Sequence, residues 1–203
     1  MTTMPLDAVD PLELVETFYD QSSELARLIE CTRPLPAPYG QLLDHEEHMT
    51  ETVEAFHGCT VGVQVLRIQY AHHWYTREIT LHCHHANRPL TDSPPVLYGI
   101  VRLRPDLLQP HVWAEIESQQ TPLGHVLITH NVHRRVALER LWRVEAGPAL
   151  RDRLRLPESF DDAGCSPWVT YGRTARIVCD GLPAIDLLEI VAPATSGDDR
   201  TTL

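Results

Sequence analysis

Residues 171–191 read YGRTARIVCDGLPAIDLLEIV, and this stretch decides the fold because it predicts a β-hairpin. Asp180 and Gly181 lie at its centre, and such a pair is typical of a two-residue turn in which glycine adopts positive φ without steric cost. Side chains alternate between the two faces of a strand. The outgoing strand therefore places on one face an apolar row that a single carboxylate interrupts: Ile185, Leu187, Glu189 and Val191.

Glu189 predicts a pocket, since a carboxylate on a core-facing row is costly unless a cation or hydrogen-bond donors meet it. The alternative is that the row faces water and Glu189 is an ordinary exposed side chain. Residues 74–84, WYTREITLHCH, alternate in the same way. Arg77 is the one charge on a face whose other members are Tyr75, Ile79, Leu81 and Cys83.

Two opposite charges that point inward from distant strands indicate a lined pocket. The planar guanidinium of Arg77 matches a substrate carboxylate. A buried Glu189 with a raised pKa can exchange protons near neutral pH. A plain ion pair between Arg77 and Glu189 inside the core is the alternative interpretation.

The composition is that of a soluble globular protein, with 43% hydrophobic and 22% charged residues. A length of 203 residues fits one domain, or one domain with an added N-terminal element. The net charge of −11 argues against a nucleic-acid-binding surface, whose affinity comes largely from Lys and Arg. No apolar run is long enough to span a membrane. The oligomeric state stays open.

The cysteines predict reduced thiols in a cytoplasmic protein, because they are odd in number, widely spaced and without a C-x-x-C motif. They are Cys31, Cys59, Cys83, Cys165 and Cys179. The N-terminus carries no pattern of a secretory signal. Twelve histidines, including the clusters His82/His84 and His45/His48, lack a metal-site spacing, so surface or loop histidines and no metal are expected.

The hydrophobic periodicity predicts an α+β protein with a single antiparallel β-sheet and helices packed on one side. Alternating strands disfavour a parallel sheet. Helices are expected at residues 11–31, at 41–56 with Gly58 after the end, and at 106–118. Strands are expected at residues 61–70, 74–84, 96–104, 133–145 and in the 171–191 hairpin, with loops at 87–89 and 157–167.

Four blocks of sequence resemble, in the same order and at similar spacing, the chorismate pyruvate-lyase family, which converts chorismate to 4-hydroxybenzoate and pyruvate. The blocks are HMTETVEAF at 48–56, WYTREITL at 74–81, TPLG at 121–124 and YGRTARIVCDGLPAIDLLEIVAP at 171–193. The family's counterparts are a D-S-M-T helix segment, a Y-W-L-R-E strand, a T-P-L-G turn and a W-G-R-R-S-R…T-E-L-F-L-P hairpin. The resemblance implies a chorismate-lyase-like sheet with flanking helices, a fold shared with ligand-binding domains of GntR-type regulators.

The resemblance also implies a domain organisation. Residues 1–40 are expected to form an N-terminal helix and a proline-rich crossing segment. Residues 41–193 correspond to the chorismate-lyase-like domain, and residues 194–203 to a flexible tail.

The site that the resemblance implies binds a small aromatic carboxylate and requires no metal and no organic cofactor. Arg77 takes the position of the family's carboxylate-binding arginine, and Glu189 that of its catalytic-site glutamate. Met49 and Leu123 match residues that contact the ring. Gly99 stands where the ubiquinone-pathway members of the family place a second arginine.

The charge lost at Gly99 can be supplied by Arg102, Arg104 or Arg173. Arg173 is preferred because it alternates with Tyr171, Ala175 and Ile177. The expected function is elimination of pyruvate from chorismate to give 4-hydroxybenzoate or a related hydroxybenzoate. The alternatives are a non-catalytic binding module for an aromatic carboxylate and an enzyme that acts on a related enolpyruvyl ether.

Overall fold

The computed structural model describes residues 7–86, 88–157 and 168–193. These residues form seven α-helices and seven strands. The helices are α1 (Pro11–Glu16), α2 (Ser22–Leu25), α3 (Tyr39–Leu43), α4 (Met49–His57), α5 (Pro110–Glu117), α6 (Leu123–Thr129) and α7 (Pro148–Leu154). The strands are β1 (Ala26–Glu30), β2 (Val61–Ala71), β3 (Trp74–Cys83), β4 (Pro95–Leu103), β5 (Arg134–Ala146), β6 (Val169–Cys179) and β7 (Leu182–Val191).

All seven strands belong to one sheet in the order β1-β5-β6-β7-β4-β3-β2, and every neighbouring pair is antiparallel. The predicted α+β class with a single antiparallel sheet is confirmed. The predicted hairpin is β6–β7. At its turn Asp180 and Gly181 have φ of 50° and 83°, the positive values that the Asp-Gly pair indicates.

Helices pack on both faces of the sheet, so the expectation that they pack on one side is wrong. Helices α3, α4, α5 and α6 cover the face that carries Arg77 and Glu189. Helices α1, α2 and α7 cover the opposite face, where Tyr98, Ile100 and Ile190 are fully buried. The second layer is needed because this face is also apolar and has to be removed from water.

The helix expected at residues 11–31 is divided. Asp10 caps α1, with Pro11 as its first residue. The chain then forms the short α2 and enters β1, which pairs with β5 through Ala26 opposite Ala146. The helical spacing of Leu25, Leu28 and Ile29 was misleading, because the pairing that fixes β1 is with a strand far along the chain. The first 40 residues thus contribute an edge strand to the same sheet.

The helix expected at residues 41–56 is also divided, into α3 and α4. The end of α4 follows the prediction, since Gly58 follows the helix with φ of 63° in the left-handed region. Helix α5 begins at Pro110, later than predicted, after a 3₁₀ turn at Pro105–Leu107. The break after α3 matters most, because the segment between α3 and α4 lies against the cavity described below.

Cys59 and Cys83 form a disulfide, with their Cα atoms 5.7 Å apart, so the prediction of reduced thiols is wrong for these two residues. The two cysteines are 24 residues apart in sequence, and the pairing of β2 with β3 brings them together. Cys31 and Cys179 are free. The loop histidine prediction also fails for His82, which is buried and bonded to Thr80 and the Ser93 carbonyl.

Several predictions fall on residues 1–6, 87, 158–167 and 194–203, which lie outside the described part of the chain. They include part of the 87–89 turn, most of the 157–167 loop, Cys165 and the C-terminal tail. None of the helices in the described part of the chain has both the length and the apolar character needed to span a bilayer.

Candidate functional site

The sheet register places Glu189 between two predicted site residues. Glu189 on β7 lies opposite Gly99 on β4 and opposite Arg173 on β6. Gly99 in turn lies opposite Ile79 on β3, two residues from Arg77. Because paired residues share a face, the charges of three strands point to the same side of the sheet. The Ile79 side chain packs over Gly99, since a Cβ atom there would lie 3.4 Å from Ile79 Cδ1.

The six residues predicted for the site line one cavity above the sheet. They are Met49, Arg77, Gly99, Leu123, Arg173 and Glu189. The cavity offers about 40 Å³ to the centres of water-sized molecules, and about 530 Å³ when all space between its lining atoms and open solvent is included. Its remaining wall is largely apolar: Val63, Ile79, Leu81, Leu97, Val101, Val136, Ile177 and Leu187. A few polar groups in an apolar concave wall are typical of small-molecule sites.

The roof of the cavity is built from the first turns of α4 and α6. Met49 and Thr50 belong to α4, and Leu123 and Gly124 belong to α6. The two turns touch, since a Cβ atom on Gly124 would lie 2.7 Å from the Thr50 hydroxyl. No side chain caps the N-terminus of α4. Its first amide groups and the positive end of its dipole therefore favour negative charge in the cavity.

Arg77 is an incompletely paired cation in the wall of the cavity. The side chain is buried, and its Nε atom has no hydrogen-bond partner in the described residues. Its Nη1 donates a long bond of 3.4 Å to the Ile116 carbonyl on α5. Burial lowers the pKa of Arg77 more than the neighbouring Tyr75 hydroxyl raises it, and a guanidinium stays protonated in proteins. A buried cation with a free donor is costly, and an anionic ligand relieves that cost.

Glu189 is paired with Arg173, so the alternative of a core ion pair between Arg77 and Glu189 is wrong. Arg173 Nε donates to Glu189 Oε2 at 2.7 Å. Its Nη1 and Nη2 donate to the carbonyls of His45 and Glu47 at 2.9 and 3.1 Å. Arg173 therefore holds the α3–α4 segment onto the sheet and neutralises Glu189. The alternative of a solvated Glu189 is also wrong, since its side chain is 12% exposed.

The structure places only one of the three candidate replacement arginines in the cavity. Arg173 lines it. Arg102 pairs with Asp186 at 3.0 Å and belongs to the opposite face. Arg104 pairs with Asp106 at 2.6 Å at the surface. The expected second cation is thus present, but its charge is already matched by Glu189.

Besides the apolar wall, sequence reasoning did not predict His48, Thr50 and Gly124 as lining residues. His48 was considered with His45 as a metal-binding cluster. It instead accepts a hydrogen bond from Arg134 at the start of β5. The sequence could have indicated these residues, because each is a direct neighbour in the chain of Met49 or Leu123. Among the described residues, no group of three or more His, Cys, Asp or Glu side chains is arranged to hold a metal.

Two solved structures are similar to this chain at low identity. The first is the ligand-binding domain of a putative GntR-family transcriptional regulator from Bordetella bronchiseptica, with 14% identity, a TM-score of 0.43 and coverage of 65% of this chain and 84% of that one. The second is the possible transcriptional regulator YydK from Bacillus subtilis, with 9% identity, a TM-score of 0.45 and coverage of 89% and 75%. No protein-family model and no curated protein matches the chain.

Proposed function

We propose that the cavity binds a small aromatic carboxylate and that the protein eliminates pyruvate from chorismate to give 4-hydroxybenzoate. The observation that carries this proposal is the buried Arg77 with a free Nε in an otherwise apolar wall. A carboxylate is the ligand group that best satisfies a guanidinium, because both are planar and form paired charge-assisted hydrogen bonds.

The apolar wall supports a ring as the body of the ligand. Leu123 and Met49 lie in the roof, and Ile79, Val101 and Leu187 lie on the sheet below. Gly99 adds no side chain of its own to this part of the cavity, and Ile79 packs over it. A flat ring carrying one carboxylate fits a site with one unmatched cation and apolar surfaces above and below.

The conversion of chorismate to 4-hydroxybenzoate requires few catalytic groups beyond those that line this cavity. Breaking the bond between the ring carbon and the ether oxygen, with loss of a ring proton, makes the ring aromatic, and the released enolpyruvate takes up a proton to become pyruvate. The driving force lies in the substrate. The protein binds the carboxylate through Arg77, excludes water and positions Glu189 at the ring hydroxyl or for the proton transfer.

The second candidate is a binding module for a monoanionic aromatic acid. It is favoured by the pairing of Arg173 with Glu189 at 2.7 Å. Chorismate carries two carboxylates, whereas the described lining residues leave Arg77 as the cation without a carboxylate partner. A hydroxybenzoate matches that charge, and a sensor domain needs only to bind it. A lyase with this site would also hold its product well.

The deciding experiment is to incubate the purified protein with chorismate and follow pyruvate with lactate dehydrogenase, while the aromatic product is identified by mass spectrometry. We expect pyruvate and 4-hydroxybenzoate in equal amounts. Arg77→Ala is expected to lower turnover at least about 30-fold, because it removes a buried charge partner of the substrate. Arg104→Ala, which changes a surface ion pair, is the matched control.

Each other outcome is informative. Unchanged turnover in Arg77→Ala would contradict the anchor role. Binding of 4-hydroxybenzoate with no release of pyruvate would favour the binding module. Pyruvate accompanied by a different aromatic product would indicate another enolpyruvyl ether as substrate.

A further inference from the structure

His48 occupies an unusual place at the start of α4. It is the residue before the first turn of the helix, with extended φ and ψ of −68° and 128°, yet its side chain makes no capping bond. The side chain is 8% exposed and lines the cavity. His48 therefore borders the site, and its imidazole does not cap the helix.

Arg134 fixes which nitrogen of His48 carries the proton. The Nε atom of Arg134 donates to Nε2 of His48. A guanidinium has no acceptor, so Nε2 must present its lone pair, and the proton of the neutral ring is on Nδ1. Arg134 is itself held, because its Nη1 donates to the Val132 carbonyl at 3.1 Å.

The surroundings of His48 keep the ring neutral. Burial first, and then the positive charges of Arg134 and Arg173, lower the pKa of His48 to about 4. At neutral pH the ring is thus a neutral donor through Nδ1–H. In the described part of the chain no residue accepts a hydrogen bond from that nitrogen.

His48 and Arg77 reach the cavity from opposite sides. The ring is held from β5, whereas Arg77 lies on β3, and strands β6, β7 and β4 separate the two. A ligand whose carboxylate lies at Arg77 therefore extends its other end toward Glu189 and His48. A hydroxyl group there can donate a hydrogen bond to the Glu189 carboxylate and accept a hydrogen bond from the imidazole.

We propose that His48, held in the Nδ1–H form by Arg134, is a specificity-determining residue that donates a hydrogen bond to an oxygen of the ligand at the end remote from the carboxylate. The inference rests on the proposed binding of an aromatic carboxylate and names the second group that this ligand carries. The site accordingly selects hydroxylated benzoates over benzoate, a distinction that Arg77 alone cannot make.

The test compares the dissociation constants of benzoate and 4-hydroxybenzoate by calorimetry. His48→Phe keeps a ring of similar shape and removes the donor. It is expected to reduce the preference for 4-hydroxybenzoate about 3- to 10-fold, the usual effect of one hydrogen bond. Arg134→Met removes the donor to Nε2, so the ring proton can move to that nitrogen. This variant is also expected to reduce the preference for 4-hydroxybenzoate. Arg134→Lys retains a cationic donor and is expected to retain the preference.

Nitrogen-15 NMR of labelled histidine provides a readout that a merely structural role would not change. The wild-type protein is expected to show His48 protonated on Nδ1, and Arg134→Met to lose that signature. An unchanged ligand preference in His48→Phe, or a proton on Nε2 in the wild type, would overturn the role of His48. Failure of every benzoate to bind the wild type would instead overturn the proposed aromatic ligand, so the two failures are distinguishable.

Discussion

Glu78 is the fully buried carboxylate on the face of β3 opposite to the cavity. It accepts hydrogen bonds from the hydroxyls of Tyr19 and Tyr98 and from Arg67 Nε at 2.6 Å. Arg153 on α7 approaches it at 3.5 Å. Its neighbour Arg77 points to the other side and has no such set of partners. Two adjacent charges therefore have different roles, one in the packing of the N-terminal layer and one in the cavity.

Glu78→Gln is expected to lower the free energy of unfolding by about 1–2 kcal/mol, because a neutral amide weakens the charge-assisted hydrogen bonds from Tyr19, Tyr98 and the half-exposed Arg67. Urea unfolding followed by circular dichroism measures this change. Glu117→Gln is the matched control, since the exposed Glu117 accepts one bond from Tyr70. A surface change of this kind is expected to stay within about 0.5 kcal/mol.

The same variant has a defined pH dependence. Burial alone would raise the pKa of Glu78, but hydrogen bonds from Arg67, Tyr19 and Tyr98 outweigh burial and hold the pKa below its usual value. A carboxyl whose pKa is lower in the folded state stabilises the fold above its unfolded pKa of about 4.3, and loses that contribution as the pH falls through the folded value. The stability difference between wild type and Glu78→Gln should therefore shrink on acidification below about pH 4. A constant difference would contradict this account.

The elements differ in how far the sequence predicts them. The hairpin follows from Asp180-Gly181, and the alternation of β3 and β7 correctly places Arg77 and Glu189 on one face of the sheet. These features depend on the period of two within a single strand. The pairing of Arg173 with Glu189 depends on the register between β6 and β7. This register cannot be predicted from the alternation within either strand. The strand β1 and the disulfide likewise depend on contacts with distant elements.

Gly147 shows how closely two elements approach on the second face. It precedes α7, and its amide donates to the Leu25 carbonyl at the end of α2 at 2.8 Å. A Cβ atom there would lie 2.4 to 2.8 Å from the carbonyl oxygens of Ser23, Glu24 and Leu25. These are backbone atoms, so the neighbour cannot move away by changing a rotamer.

Gly147→Ala is consequently expected to destabilise the protein by about 1–3 kcal/mol, the range for overpacked sites. Gly40→Ala in α3 is the matched control, because its nearest neighbour would be the Leu35 carbonyl at 3.5 Å. The control is expected to be neutral or stabilising by up to about 1 kcal/mol, since alanine favours a helix. Chemical denaturation measures the free energy of unfolding of both variants. Equal changes in the two would contradict the predicted overpacking at Gly147.

At the scale of the whole molecule, one sheet separates two cores with different contents. The core under α1, α2 and α7 encloses the Glu78 cluster, in which the charge is matched by neighbouring side chains. The core under α3 to α6 contains the cavity and the incompletely paired Arg77. The disulfide joins the end of β3 to the segment after α4, so it holds the helix that begins at the cavity roof. The chain has a net charge of −11, yet its cavity is lined by the buried cation Arg77.

The most direct test of the central claim, that Arg77 anchors a carboxylate, is calorimetric titration with 4-hydroxybenzoate and with 4-hydroxybenzyl alcohol, which lacks the carboxylate. Arg77→Met keeps the volume and removes the charge, and Arg104→Met is the surface control. The account predicts that Arg77→Met weakens binding of the acid at least about 30-fold and changes binding of the alcohol little. Equal affinity of wild type and Arg77→Met for the acid would contradict it.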